Sequence, residues 1–257
     1  MRKIRIPNKS KINIIICFAL QILVIVSLIA QVIYENWANV FLCVITLILF
    51  IIPNFISTKF KLKIPDTLEA IIYIFIFSAA ILGEIQNFYG AIPYWDSLLH
   101  TLNGFICAAI GFSLINILNN GNNIDMTPIF VSLVAFCFSM TIGVFWEFVE
   151  FSLDHYLATD TQKDQIVYQI SSVKLNDKKI NKTIEINNID KTIIYSTQGT
   201  TIINGYLDIG LCDTIKDLFV NFIGALIFSI IGYLYVKNSY NYHFIENFVP
   251  KANKKVL

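Results

Sequence analysis

Residues 128 to 153 read PIFVSLVAFCFSMTIGVFWEFVEFSL. The stretch exceeds the roughly 20 apolar residues that a helix needs to cross a bilayer core, and its only charges, Glu147 and Glu150, fall near one end. Five further stretches of this kind lie near 12 to 33, 37 to 56, 68 to 88, 97 to 118 and 213 to 236. The sequence therefore predicts an all-α polytopic membrane protein with about six transmembrane helices.

Composition agrees. Of the 257 residues, 56% are hydrophobic and only 14% charged, a balance far from that of a soluble domain. A formal net charge of +1 provides no basic field for nucleic acid, so none is expected as a partner. Cys17, Cys43, Cys107 and Cys137 lie inside apolar runs and read as small packing residues, while Cys212 sits near a water-facing boundary. With no CxxC pair, neither a disulfide framework nor a thiolate zinc site is supported.

The first apolar run follows Arg2, Lys3, Arg5, Lys9 and Lys11, but it is longer than a signal-peptide core and reads as a retained anchor. These residues, with Lys59, Lys61 and Lys63 after the second span and Lys251, Lys254 and Lys255 in the tail, assign those segments to the cytoplasm. The short connections around Glu35 and from Tyr89 to Trp95 lack Lys and Arg, as outer loops should. Both termini are expected inside a bacterial plasma membrane. The Ile-, Asn- and Lys-rich composition suits an AT-rich bacterial genome.

Between the fifth and sixth spans lies the one stretch of soluble character. Ile166 to Leu175, Lys182 to Ile186 and Thr192 to Ser196 are rich in β-branched residues and are separated by Asn176-Asp177, Asn187-Asn188 and Gln198-Gly199 turn signals. They predict a small extracytoplasmic β-meander. The expected organisation is a membrane domain over 1–153, a β-rich loop over 154–212, and the sixth helix with a cytoplasmic tail over 213–257.

Polar groups inside the spans carry the functional information, because a charge at the bilayer centre costs about 2.5–3.5 kcal/mol on insertion scales. With alternating span directions, Glu84 and Asn87, then Asp96, His100 and Asn103, then Glu147, Glu150 and Asp154, then Asp213, Asp217 and Asn221 all fall toward the outer leaflet. Asp96 and His100 are spaced i,i+4, the three acids of the fifth span i,i+3,i+7, and Asp213, Asp217 and Asn221 i,i+4,i+8, so each set shares a helix face. Small residues follow on those faces: Gly104, Ala108 and Gly111, then Ser139 and Gly143, then Gly224 and Ala225. Small residues let membrane helices approach closely, so Asp96, His100, Glu147, Glu150, Asp213 and Asp217 are expected to converge, with Glu84 supplied from the side. Lys216 sits where it neutralises a neighbouring Asp or snorkels to headgroups.

Such carboxylates must share protons, pair with cations or bind a metal. Asp96, His100, Glu147, Glu150 and Asp217 are candidate ligands for a divalent ion such as zinc or manganese, although no motif selects one. Glu84, Asp96, Asp154, Asp213, Asp217 and Asn221 are candidates for holding a small polar ligand or lipid headgroup. In an enzymatic version Glu147 and Glu150 are the candidate acid and base, with His100 as proton carrier or ligand. The competing readings are span-end charges at Asp96, Asp154 and Asp213, a structural network at Glu147 and Glu150, and a paired core histidine at His100. Trp95, Trp146, Tyr94 and Tyr156 read as interfacial aromatics.

Four blocks in order, Trp95-Asp96-x-x-x-His100-x-x-x-Gly104, Trp146-Glu147-x-x-Glu150, Thr161-Gln162-x-Asp164 and Asp213-Thr214-x-x-Asp217-x-x-x-Asn221-x-x-Gly224-Ala225, resemble the YjdF type of bacterial inner-membrane proteins. That family has Gly where Lys163 stands and runs almost directly from the TQxD block into the next Asp block, whereas about 48 residues intervene here. A more distant likeness is to VanZ-type proteins, which share an Asp and His at one helix start and an Asp-x-x-x-Asn before a Gly-rich helix. The resemblance implies a site without implying a reaction. The leading reading is a site that holds a polar ligand, metal ion or headgroup; the alternatives are a proton- or cation-coupled transporter and a noncatalytic partner protein using the outer loop.

Overall fold

A computed structural model describes residues 11–59, 62–118, 126–178, 180–237, 247–248 and 251–252. Arg2, Lys3, Arg5, Lys9, Lys61, Lys254 and Lys255 lie outside the described residues. Among the described residues, six helices are long and apolar enough to cross a membrane: Lys11–Ile33, Trp37–Lys59, Asp66–Ile85, Trp95–Ile115, Pro128–Leu157 and Leu211–Lys237. The protein is an all-α polytopic membrane protein with a small strand-containing insert between its fifth and sixth helices.

Chain packing divides it into two compact units, Met1–Gly143 with Asp217–Leu257, and Val144–Lys216. In the first, α1 (Lys11–Ile33) packs on α2 (Trp37–Leu49) across a tight turn in which Glu35 takes a φ of 57° and the Asn36 side chain caps α2. Pro53 sits at the start of α3 (Ile52–Lys59), where its missing N–H separates the second span into two helices.

The third span begins as α4 (Asp66–Phe77) and continues as a π-helical segment over Ser78–Ile85. It ends earlier than the expected residue 88, because Asn87 takes a φ of 55° and starts the short α5 (Phe88–Ala91). Then come α6 (Trp95–Leu118), α7 (Pro128–Leu157) and α8 (Leu211–Lys237).

Ala108, Ala109 and Phe112 of α6, Val131 and Ala135 of α7, Ala225 and Phe228 of α8, and Phe248 form one core cluster. Val24, Cys43, Phe50, Tyr73 and Ile81 form a second, between α1, α2 and the third span. Hydroxyls inside the spans bond to carbonyls one turn back, as in Thr46 to Leu42, Thr101 to Ser97 and Ser113 to Ala109. The outward faces are apolar: Ile12, Ile15, Phe18, Ile22, Phe41 and Phe219 are exposed, as lipid-facing side chains must be. Strand β1 (Leu62–Lys63), after the second span, pairs antiparallel with β8 (Lys251–Ala252) of the tail. The sequence had not suggested this pairing.

The second unit holds the end of α7, the insert and the start of α8. Its strands are β2 (Ile166–Val167), β3 (Ile170–Ser172), β4 (Ile184–Ile186), β5 (Thr192–Ser196), β6 (Gly199–Ile203) and β7 (Tyr206–Leu207). They form three two-stranded antiparallel sheets rather than one meander: the hairpins β3–β4 and β5–β6 lie in sequence between the paired outer strands β2 and β7.

The expected strand over Ile166 to Leu175 is interrupted, and its end is a 3-10 turn over Val173–Leu175 capped by the Ser172 hydroxyl. Gly199 begins a strand that the sequence reading stopped short of. Its φ of 130°, open to glycine, lets a two-residue turn close the β5–β6 hairpin.

Candidate functional site

Within the first unit, α6 and α8 bring three ionisable side chains together. Asp96 and His100 occupy successive turns of α6, with His100 Nε2 3.4 Å from Asp96 Oδ1. From α8, Asp217 Oδ2 lies 3.9 Å from the same nitrogen. One donor atom from each of the three residues falls within 4.8 Å of the others. Asp217 is only 2% exposed, and His100 is largely buried.

Close backbone approach sets this geometry. A Cβ on Gly224 would overlap the Thr101 carbonyl oxygen, and one on Gly104 would overlap the Asn221 carbonyl oxygen, so α6 and α8 meet main chain to main chain. Asn103, one turn beyond His100, donates through Nδ2 to Asn221 Oδ1 at 3.3 Å. Asn221 lies one turn beyond Asp217, so this bond stands directly beneath the His100–Asp217 pair. The Asn221 amide also faces Met140 Sδ at 3.7 Å and Gly143, where a Cβ would lie 2.7 Å from Nδ2. Ser139 donates to the Gly104 carbonyl at 2.7 Å and so ties α7 to the crossing. Asn221, a candidate ligand-binding residue, thus bridges α6, α7 and α8.

An imidazole flanked by two carboxylates has two chemical solutions. Protonated, it is an imidazolium between two anions; neutral, its Nε2 and the carboxylate oxygens are a mixed nitrogen and oxygen donor set for a cation. The separations exceed the roughly 2.7–3.2 Å of a direct N–H···O hydrogen bond. Burying these groups among apolar helices is costly, and either solution offsets part of that cost.

The remaining expected site residues of α7 and early α8 belong to the second unit. Glu147 is buried, Glu150 half-buried and Asp213 buried. Asp213 Oδ2 accepts the Lys163 backbone N–H at 3.0 Å, and Lys216 Nζ lies 3.5 Å from Oδ1, the neutralising role expected of that lysine.

Asp154 organises the loop after α7. It accepts the Thr161 and Gln162 N–H groups at 2.6 and 2.8 Å and the Thr159 hydroxyl at 2.8 Å. The Thr161 hydroxyl lies 2.7 Å from Asp154 and 3.1 Å from the Glu150 carbonyl; its one proton favours the shorter, charge-assisted bond. Gln162 in turn bonds Thr214. The Thr161-Gln162 block therefore joins the ends of α7 and α8 despite the long insertion.

Asp208 was not singled out from sequence. It caps α8 by accepting from Cys212 N at 2.6 Å, Gln165 N at 2.8 Å and Gly210 N at 3.3 Å. Partial burial works to raise its pKa, but these hydrogen bonds prevail and hold it below the ordinary carboxylate value. Asp164 is pushed the other way, by desolvation and by the charges of Asp160, Asp208 and Asp154.

Glu84 is exposed on the π-helical segment. A different acid of the third span is buried instead. Glu69 accepts from Tyr73 OH at 2.9 Å and Asn13 Nδ2 at 3.2 Å, joining α1 to α4, and all three are buried. The i,i+4 spacing of Glu69 and Tyr73 was the available signal, masked because an acid in a helix's first turn ordinarily reads as a dipole partner.

A model of the family described as "Predicted membrane protein (DUF2238)" matches residues 13–238, a range that includes all four motif blocks. An uncharacterized protein of Thermotoga maritima is 29% identical over 102 residues, covering 39% of this chain and 52% of that protein. The chain thus spans about half the length of the curated relative it matches. No solved structure matches.

Proposed function

The chain belongs to the predicted membrane protein family DUF2238, and from that premise we propose that it is a cation-binding protein of the bacterial plasma membrane, with Asp96, His100 and Asp217 as its binding site. The observation that carries this reading is the meeting of two carboxylates from different helices at one imidazole nitrogen, at 3.4 and 3.9 Å. Gathering three such groups inside apolar spans is costly, and a shared cation or proton offsets that cost.

The site is assigned to the outer side and both termini to the cytoplasm. Pairing of β1 with β8 supports this, because it brings Lys63 and Lys251 to one end of the bundle, as the positive-inside pattern requires. A lipid headgroup ammonium is one cation such a site accepts.

The test is thermal stabilisation of the detergent-purified chain by sodium, magnesium, calcium, manganese, zinc and ethanolamine, compared with Asp217→Asn. At least one cation should raise the melting temperature of the wild type and fail to do so in the variant. Equal responses in the two proteins, or none in either, would remove the proposal.

A second reading, proton- or cation-coupled transport, is favoured by the buried Glu69–Tyr73–Asn13 network. It lies at the start of the third span, whereas Asp96 starts the next, so the two sites sit toward opposite ends of the bundle. Uptake of a labelled cation into proteoliposomes, lost in both Glu69→Gln and Asp217→Asn, would favour transport over binding alone.

A further inference from the structure

We infer that the cation taken by Asp96, His100 and Asp217 is a zinc-class transition-metal ion, held by three protein ligands with at least one position left open. The inference rests on the cation-site reading above and goes further in naming the metal class and its coordination.

The donor set gives the first reason. Calcium and magnesium are hard ions that take oxygen ligands, and an imidazole at the centre of the set gives them nothing. Here His100 Nε2 is the atom that both carboxylates face, so any ion equidistant from the three side chains is bonded to nitrogen. Zinc, cobalt and manganese accept one imidazole with carboxylates, and zinc does so most readily at low coordination number.

Spacing gives the second reason. Zinc bonds of about 2.0–2.2 Å in tetrahedral array place neighbouring donor atoms about 3.3–3.6 Å apart. The Asp96–His100 pair is already at 3.4 Å and the His100–Asp217 pair at 3.9 Å. The widest separation of the three donor atoms is at most 4.8 Å, so all three lie within reach of one small ion.

Rigidity gives the third. Contact of Gly104 and Gly224 with opposing main chain, and the Asn103–Asn221 hydrogen bond beneath the pair, hold the two helices in register. A fixed three-donor frame suits a small ion with short bonds better than calcium, which takes six to eight ligands in a flexible shell. Three protein donors also leave a coordination position for water or an exchangeable anion, as in catalytic zinc sites.

The experiment uses the full chain in detergent, stripped with chelator and titrated with cobalt(II) chloride as a spectroscopic probe. Expected are one cobalt per chain and the intense visible absorption of a four- or five-coordinate ion, bleached by one equivalent of zinc but not by a large excess of calcium or magnesium. Adding thiocyanate or azide should shift the band, reporting the open position. His100→Ala and the shape-conserving Asp217→Asn should each lose the band while keeping their helical circular dichroism.

If calcium or magnesium displaces cobalt as well as zinc does, the metal assignment fails and the cation site stands. If cobalt gives only weak octahedral absorption, the open low-coordinate site is refuted. If Asp217→Asn binds cobalt as the wild type does, the ion lies elsewhere and both readings fall.

Discussion

The carbonyl oxygen of Thr101 occupies the space in which a side chain on Gly224 would sit. The same relation holds in reverse between Asn221 and Gly104, so two turns of α6 and two of α8 are in main-chain contact on either side of the Asn103–Asn221 bond. A methyl group at either glycine meets backbone, which cannot rotate away as a flexible side chain could. Gly224→Ala and Gly104→Ala should each cost about 1–3 kcal/mol by overpacking. They should also weaken cation-dependent stabilisation by pushing Asp217 from His100. Melting temperatures in detergent with and without added cation check both effects; an unchanged melting temperature would contradict the close crossing.

Asp154 gathers the Thr159 to Gln162 turn through four hydrogen bonds. Replacing it by Ala leaves two backbone N–H groups without their acceptor, a local cost of about 1–3 kcal/mol. Hydrogen exchange should quicken at Thr161 and Gln162 while the amides of α1 and α2 keep their protection. Unchanged exchange at Thr161 would show that the carboxylate does not organise the turn.

The insert should respond to pH through two opposed carboxylates. Asp208 is held below its unfolded pKa of about 3.9, so its stabilisation is present above that value and is lost as pH falls through the folded one. Asp164 is raised, so its charge opposes folding above its folded pKa, and the penalty lifts on acidification. At neutral pH Asp208→Asn should therefore lower the stability of the insert. Asp164→Asn should raise it by no more than about 0.5 kcal/mol, since the group is solvent-exposed. Both differences should shrink as pH falls through the acid range, read by exchange rates or carboxyl chemical shifts.

Reporter fusions test the orientation. A fusion after Leu257 should report the cytoplasm, and one within the Lys174 to Lys191 segment the opposite side, as the distribution of basic residues requires. The same side for both would overturn the assigned topology.

The sequence by itself determined the architecture. Apolar run length in a medium that leaves no backbone polar group unpaired dictates helices, so six spans were legible from composition alone. The insert's β character followed from its β-branched residues, and the small residues of α6, α7 and α8 were legible as a packing face. Strand pairing was not. It depends on which segments meet, and the β2–β7 and β1–β8 pairs join residues distant in sequence.

Nor could helical spacing decide which of the polar groups on these faces meet. Spacing fixes a residue's direction on its own helix but says nothing about the rotation of one helix against another. Only tertiary structure decided that Asp217 faces His100 while Asn221 turns to Asn103, because the contacts at Gly104 and Gly224 fix that rotation. It likewise gave Asp154 to the turn beside it and buried Glu69 in place of Glu84, since a carboxylate's role is set by the donors that reach it.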